Sequence, residues 1–163
     1  MIDREELNRK RAAIEGENGK FYRRLKKRFP AGIDDEVMAL DEEVFSNIDC
    51  LKCANCCKTT PALVDNEDVN RISKHLRISP KEFVTKHVTK DADGDTVLNR
   101  TPCTFLGADN KCTIYEVRPF ACKDYPHTNR KKMQQLLPLT VHNARICPAV
   151  SRILDNISEA LAE

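Results

Sequence analysis

The stretch CLKCANCC, residues 50–57, places four cysteines within eight positions, and the last two of them are adjacent. The whole chain of 163 residues contains eight cysteines, so half of them lie in a segment too short to need a covalent staple. Clustered thiols in a reducing compartment are more often metal ligands or redox centres than structural disulfides. This segment therefore predicts a fold that is organised around bound metal.

The composition and charge of the chain indicate a cytoplasmic globular protein. The N-terminal MIDREELNRKR is charged from its third position and lacks the apolar core of a secretory signal, and no apolar run is long enough to span a membrane. The net charge is only +2, and the basic block at residues 21–29 is followed by an acidic stretch, residues 31–49, with which it can pair. We therefore expect neither a membrane nor a nucleic acid as a partner.

All eight cysteines are candidate metal ligands. They are Cys50, Cys53, Cys56, Cys57, Cys103, Cys112, Cys122 and Cys147. Two residues between cysteines let a tight turn aim both sulfurs at one cation, a spacing that recurs in zinc and iron–sulfur sites. The softness of thiolate restricts the metal to zinc or an iron–sulfur cluster among the common choices. Inert buried thiols and a disulfide scaffold are the competing interpretations, and clustering in a reducing compartment argues against both.

The adjacent pair Cys56 and Cys57 predicts how the thiols divide between centres. Neighbouring side chains in an extended or turning backbone are expected to diverge, so these two sulfurs should serve different sites. Cys147 precedes a proline, as does the last cysteine of the bacterial ferredoxin motif, although the short final spacer of that motif is missing. One predicted site consists of Cys50, Cys53, Cys56 and Cys147, and the other consists of Cys57, Cys103, Cys112 and Cys122. A single polynuclear cluster is the alternative.

Helical signals dominate the sequence, and the predicted fold class is mainly α with a small β-hairpin, a compact helical domain stapled by cysteine-bound metal. Apolar residues at helical spacing and N-capping residues predict a series of helices. They begin near Asp3, near Asp34, at Asp65 or Asn66, after Ser79, and near Val150. The helix after Ser79 should carry one apolar face formed by Phe83, Val84, His87 and Val88.

Two polar turns complete the predicted organisation. The turn at residues 107–110 predicts a hairpin between CTFLG and KCTIYE. The stretch at 91–100 has aspartates at alternate positions, as a calcium loop does, but Thr96 and Pro102 occupy its glycine and bidentate glutamate positions. We therefore expect a plain polar turn there. The predicted domains are a helical extension at 1–49 that packs on a cysteine-cluster metal-binding domain at 50–163.

Four motifs taken together resemble one known family. CxxCxxCC is followed by PCTFL, then by KCTIYEVRPFACKDYP, and finally by ICPAV. Their order and spacing are similar to those of the YkgJ-type cysteine-cluster family, whose members carry a zinc- or iron-chelating domain. The resemblance covers roughly residues 50–154 and implies metal ligation by the eight cysteines without assigning a reaction. Flagellin lysine methylases contain a related cysteine motif.

Two residues near Cys122 are weighed as further members of the site. Arg118 is expected to offset thiolate charge or to donate to backbone carbonyls rather than to act in catalysis. His127 lies five residues after Cys122 and could replace one thiolate, although eight thiols make this unnecessary.

The leading functional hypothesis is a protein that holds an iron–sulfur cluster, zinc or both, in electron transfer or metal handling. One alternative is a zinc-stapled interaction module whose N-terminal helical arm binds a protein partner. The other is an iron–sulfur enzyme related to protein lysine methylation. The sequence contains no recognisable nucleophile–base set or phosphate-binding loop, so the question of enzymatic activity stays open.

Overall fold

The computed structural model describes residue 27 and residues 32–160, which are mainly helical with one small antiparallel hairpin. This confirms the predicted mainly α fold class, whereas its metal staple stays a prediction. The helix predicted near Asp3 lies outside the described residues. No helix of the described part of the chain has the length and apolar character needed to cross a membrane.

The described helices and strands follow one another closely along the chain. The helices are α1 Asp34–Ser46, α2 Cys50–Cys53, α3 Asn55–Thr59, α4 Asn66–Leu76, α5 Pro80–His87, α6 Phe120–Asp124, α7 Met133–Ala144 and α8 Pro148–Ala160. The strands are β1 Val88–Lys90 and β2 Thr96–Leu98, and a single 3-10 turn spans Tyr115–Val117. The described residues form two compact units, one from 32–49 with 126–160 and the other from 50–125. The domain division predicted at residue 50 stays a prediction.

The first unit (residues 32–49 and 126–160) is a group of three helices around an apolar core. Helix α8 packs against both α1 and α7. The helix predicted near Val150 is confirmed as α8, and its apolar stripe is buried at the helical spacing of three and four residues. The buried core residues of this unit are Ile33, Val37, Val44, Met133, Leu137, Val141, Ala144, Ala149, Val150, Ile153, Leu154 and Ile157.

Helix α7 was not predicted from the sequence, and its N-terminus explains why. Lys132 has a left-handed backbone with φ 62, and it provides no side-chain cap. Instead, the backbone N–H groups of Lys132 and Met133 donate to the carboxylate of Asp34 at 2.7 and 2.8 Å. These bonds satisfy donors that the start of a helix leaves open, and they lower the pKa of Asp34. A cap from 98 residues away leaves no local pattern to read.

In the second unit (residues 50–125), the short helices α2 and α3 are followed by two capped helices, α4 and α5. Asp65 caps α4 through a capping box, and the hydroxyl of Ser79 caps α5, so both predicted helix starts are confirmed. Phe83 of α5 is fully buried, but Val84 is 44% exposed, so the predicted apolar face is wrong at Val84. The buried residues of its core cluster are Val64, Val69, Ile72, Phe83, Leu98, Phe105 and Ile114. Ala54 and Val97 are also buried in this unit.

The hairpin of the second unit joins β1 and β2, which pair with Val88 opposite Leu98. The polar DADGD turn connects the two strands. The carboxylate of Asp91 accepts hydrogen bonds from the N–H groups of Asp93 and Asp95 at 3.0 and 2.9 Å, which tightens the turn. The polar turn expected at this place is therefore confirmed.

The hairpin that the sequence predicted around residues 107–110 is wrong in extent. The turn exists, with Gly107 N donating to Lys111 O at 2.8 Å, but only one bridge forms across it, between Leu106 and Cys112. The chain cannot extend the pairing because it enters the 3-10 turn at Tyr115. The turn therefore serves to position Cys112 rather than to build a sheet.

Candidate metal centre

The CLKCANCC segment forms two short helices, α2 and α3, joined at Ala54. Ala54 is buried and has a left-handed backbone with φ 49, a conformation that costs an alanine about 1–2 kcal/mol. Its N–H donates to Cys50 O at 2.9 Å, and its carbonyl accepts from Lys58 N at 3.1 Å. The cysteines of this segment therefore project from two helical turns on either side of a bend.

Backbone hydrogen bonds bring three of the cysteines onto neighbouring stretches of chain. Cys103 N donates to Cys57 O at 2.8 Å, which ties α3 to the segment before the turn at 107–110. Across that turn, Cys112 forms a bridge with Leu106, and Thr113 N donates to Phe105 O at 2.9 Å. Cys57, Cys103 and Cys112 are thus gathered by main-chain contacts.

Cys122 joins these three from helix α6. Burial of its thiol and, to a smaller extent, negative charge at Cys57, Cys103 and Cys112 together raise the pKa of Cys122 to about 12. Burial is also the main cause that raises the pKa values of Cys103 and Cys112, and charge at Cys57 adds to both. Charges couple in this way only over short distances. We call Cys57, Cys103, Cys112 and Cys122 the four-thiol group.

Cys56 lies beside the four-thiol group rather than apart from it. A hydrogen bond with the thiol of Cys56 is the main cause that raises the pKa of Cys57. The expectation that these adjacent side chains diverge is therefore wrong. They lie in helix α3, where successive side chains are about 100° apart and not opposite, as they would be in a strand. The division of the cysteines between two sites stays a prediction.

Arg118 supplies positive charge to the four-thiol group. Its guanidinium opposes the rise in the pKa values of Cys112 and Cys122. The same side chain donates to Tyr115 O at 2.7 Å, and it lies 3.9 Å from the centroid of the Tyr115 ring. Both roles expected of Arg118, compensation of thiolate charge and donation to a carbonyl, are present.

The remaining sequence-predicted residues are three cysteines and one histidine. Cys50 is exposed and Cys53 is half-buried, and both belong to α2. Cys147 belongs to the first unit, where it packs half-buried against the apolar core at the start of α8. His127 also belongs to that unit and is half-buried, with φ 70. The ligand roles predicted for these residues stay predictions.

The four-thiol group fits a soft metal by its donor chemistry. Between residues 32 and 160, no set of three or more His, Cys, Asp or Glu side chains is arranged so that it could already hold an ion. The group nevertheless supplies four soft sulfurs, the donors that zinc and iron–sulfur clusters take from proteins, together with a compensating guanidinium. Ligation would therefore require the gathered sulfurs to close up around the metal.

Sequence analysis missed two residues that contact the chain just before Cys122. Asp68 and Arg71 of α4 bond to the backbone of Phe120 and Arg118, respectively. The one available signal was the place of Asp68 in the capping box of α4, and that pattern indicates a local role only.

These features define a class of protein, a cysteine-rich domain that gathers thiols for a metal. A family model named CxxCxxCC and described as "Putative zinc- or iron-chelating domain" matches residues 49–141. The chain belongs to this family, which confirms the resemblance seen in the motifs. The predicted cofactor is confirmed at the level of zinc or iron. The match ends before Cys147 and includes the other seven cysteines. Neither the curated proteins nor the solved structures gave a match to the chain.

Proposed function

We propose that this protein binds zinc or an iron–sulfur cluster through the four-thiol group, and that the metal stabilises the unit at residues 50–125. The observation that carries the proposal is the backbone arrangement around Cys57, Cys103 and Cys112. One hydrogen bond joins the first two, and one bridge across a tight turn presents the third. Family membership supports the same conclusion, because the matched segment contains all four thiols.

The small core of the second unit supports a structural contribution from the metal. Nine apolar side chains are buried there, and small cores of this kind are commonly supplemented by a bound metal. Metal ligation contributes directly to folding free energy when the site does not exist in the unfolded chain. Sulfurs from α3, the 107–110 turn and α6 would then be cross-linked through one centre.

The exposure of helix α6 supports a role in electron transfer. Zinc would supply a redox-inert cross-link, whereas an iron–sulfur cluster would supply a one-electron carrier. Cys122 is exposed as a residue, although partial desolvation of its thiol raises its pKa, so a centre that includes it would lie near the protein surface. Arg118 provides a fixed positive charge beside that centre, and hydrogen bonds and charge near the sulfurs tune the potential of such clusters.

A second candidate is a zinc-stapled interaction module, which two exposed aromatic residues favour. Tyr115 is 37% exposed and Phe120 is 47% exposed. The guanidinium of Arg118 lies over the first ring and that of Arg71 lies 4.6 Å from the centroid of the second. Exposed aromatic and arginine side chains are enriched at the centres of protein–protein interfaces. This surface adjoins Cys122, so metal binding would also fix its shape.

Anaerobic purification followed by metal analysis and absorption spectroscopy tests the proposal. Charge-transfer bands with bound iron indicate an iron–sulfur cluster and favour the electron-transfer role. A colourless protein with stoichiometric zinc favours the interaction module. Cys112→Ser should lower the metal content of the centre, while the control Cys147→Ser should leave the metal of the four-thiol group in place. A wild-type protein that contains neither zinc nor iron, or a folded Cys112→Ser variant with full metal content, would contradict the proposal.

A further inference from the structure

A buried carboxylate lies in helix α4, outside the four-thiol group. The side chain of Asp68 is 2% exposed and accepts hydrogen bonds from three donors. These are the N–H of Asp65 at 3.3 Å, the N–H of Phe120 at 3.0 Å and the guanidinium of Arg71. A buried charge is tolerated only where such bonds and an opposite charge compensate its desolvation. One of these donors, Phe120, is the first residue of helix α6.

Arg71 completes a clamp from the same helix. Its Nη2 atom donates both to Asp68 and to the carbonyl of Arg118, the latter at 3.0 Å. Its guanidinium also lies 4.6 Å from the centroid of the Phe120 ring. The tripeptide 118–120 is therefore held at the carbonyl of its first residue and at the amide of its last. Pro119 between them is buried and has a ring-restricted φ.

The clamped tripeptide leads directly to two members of the candidate centre. Cys122 N donates to Pro119 O at 3.0 Å, so the position of the tripeptide sets the start of α6 and the place of its thiol. Arg118 itself donates through Nη1 to Tyr115 O at 2.7 Å, and Tyr115 N in turn donates to Cys112 O at 3.3 Å. The other three thiols are fixed by separate contacts around Cys57 and the 107–110 turn.

We propose that Asp68 and Arg71 are positioning residues for the metal centre, which hold Cys122 and the guanidinium of Arg118 in register with Cys57, Cys103 and Cys112. This inference rests on the proposed metal-binding function. Neither residue is a ligand: both act through the backbone of residues 118–120. Their substitution should weaken metal binding without removing any thiol, as loss of residues that orient metal ligands typically does.

Conservative variants separate this role from bulk stability. Asp68→Asn keeps the volume of the side chain, but an amide has one acceptor oxygen and cannot satisfy all three donors. Arg71→Lys keeps the charge but loses the planar group that bridges two acceptors and stacks on Phe120. Glu67→Gln and Arg77→Lys are the matched controls, because both residues are exposed. Glu67 precedes Asp68 in the first turn of α4, and Arg77 is the C-cap of the helix.

The first measurement is the affinity of each variant for cobalt(II) or zinc, with circular dichroism to establish that the variant is folded. We expect Asp68→Asn to lose about 10- to 100-fold in affinity, Arg71→Lys to lose less, and both controls to stay within about twofold of the wild type. Because Arg118 keeps its place in the Cys122→Ser variant, the double variant Asp68→Asn with Cys122→Ser should lose clearly less affinity than the product of the two single losses. Losses that multiply would show that Asp68 does not act through Cys122 and would overturn the proposal.

The second measurement is the rate of alkylation of Cys122 in the reduced, metal-free protein, followed by peptide mass spectrometry with Cys50 as the internal reference. We expect the ratio of the Cys122 rate to the Cys50 rate to change several-fold in Asp68→Asn and Arg71→Lys, and to stay constant in the controls. An unchanged ratio together with wild-type cobalt affinity overturns the inference. If Asp68→Asn does not fold, Arg71→Lys decides by the same criteria. If the wild type binds no metal, the proposed function fails, and the alkylation ratio alone decides whether the clamp positions Cys122.

Discussion

The two units of the protein differ in what stabilises them. The unit formed by residues 32–49 and 126–160 buries twelve apolar residues, whereas the larger unit at residues 50–125 buries nine and contains seven of the eight cysteines. Burial of apolar area is the main favourable term in folding. Apolar packing therefore stabilises the first unit, and our proposal is that thiol ligation adds to a smaller apolar core in the second.

The lengths of the helices show the same contrast. Helices α1, α7 and α8 of the first unit have 13, 12 and 13 residues, whereas α2, α3 and α6, which carry five of the cysteines, have 4, 5 and 5. Such short helices have almost no stability of their own, because the cost of nucleation is spread over too few hydrogen bonds. Their positions must therefore be set by contacts outside the helix. The clamp of Asp68 and Arg71 acts on α6, and under our proposal bound metal would also fix α3 and α6.

The largest expected effect is that of metal removal, which should lower the stability of the second unit and leave that of the first unchanged. After chelation, we expect amide protection in α4 and α5 to fall by more than about a hundredfold, because ligation contributes folding free energy to the second unit. Amides of α7 and α8 should retain their protection. Hydrogen exchange resolved by peptide or by residue measures both effects in one sample. Equal loss in both units, or no loss in either, would break the comparison.

A large-to-small substitution in the first unit should have the opposite pattern. Leu137→Ala removes a fully buried side chain of α7 and should cost about 2–5 kcal/mol in the free energy of unfolding. Leu139→Ala is the matched control, because Leu139 lies two residues along the same helix and is 40% exposed; its cost should stay within about 0.5 kcal/mol. Urea unfolding measures the costs, and both variants should keep the wild-type metal content. Loss of metal in Leu137→Ala would contradict the claim that the stability of the first unit is independent of metal ligation.

The smallest expected effect concerns the cap that Asp34 provides to α7. The pKa of Asp34 lies below its ordinary value of 3.8 in the folded protein, chiefly because its carboxylate accepts from the N–H groups of Lys132 and Met133. The resulting stabilisation is complete at pH values above the ordinary pKa and is lost as the pH falls through 3.8 towards the lowered pKa. Asp34→Asn should therefore reduce the acid sensitivity of α7 and lower its protection at neutral pH.

Exchange of the α7 amides, corrected for the intrinsic rate and followed from about pH 6 down to about pH 3, measures this effect. Asp35→Asn provides the control, because Asp35 is the exposed neighbour of Asp34 in the first turn of α1. Identical pH profiles for Asp34→Asn and Asp35→Asn would show that the cap does not contribute to the acid sensitivity of the first unit.

Local chemistry explains which parts of the fold the sequence could predict. Asp65 and Ser79 predict the starts of α4 and α5, because their side chains accept hydrogen bonds from N–H groups within the same turn. The stripe of α8 is equally local, since one helix face carries all of its described apolar residues. Helix α7 could not be predicted in this way, because Pro138 interrupts its helical sequence pattern and its N-terminal cap is the side chain of Asp34 in α1.

The candidate centre divides in the same way between local and distant signals. The grouping of Cys103 with Cys112 was predictable because the two residues flank one turn. The contact of Cys56 with Cys57 was mispredicted, because the prediction assumed an extended or turning backbone where α3 forms a helical turn. The bond from Phe120 to Asp68 joins residues 52 positions apart. No spacing rule encodes such a contact, so only the folded chain reveals it.

X-ray absorption at the edge of the bound metal tests most directly the claim that the four-thiol group holds it. For zinc, the account predicts a first shell of four sulfurs at about 2.3 Å. An iron–sulfur cluster would add a second shell of iron. The sulfur count at a zinc centre should fall in Cys112→Ser and stay at four in Cys147→Ser. A first shell dominated by nitrogen or oxygen, or a sulfur count that Cys112→Ser leaves unchanged, would contradict the account.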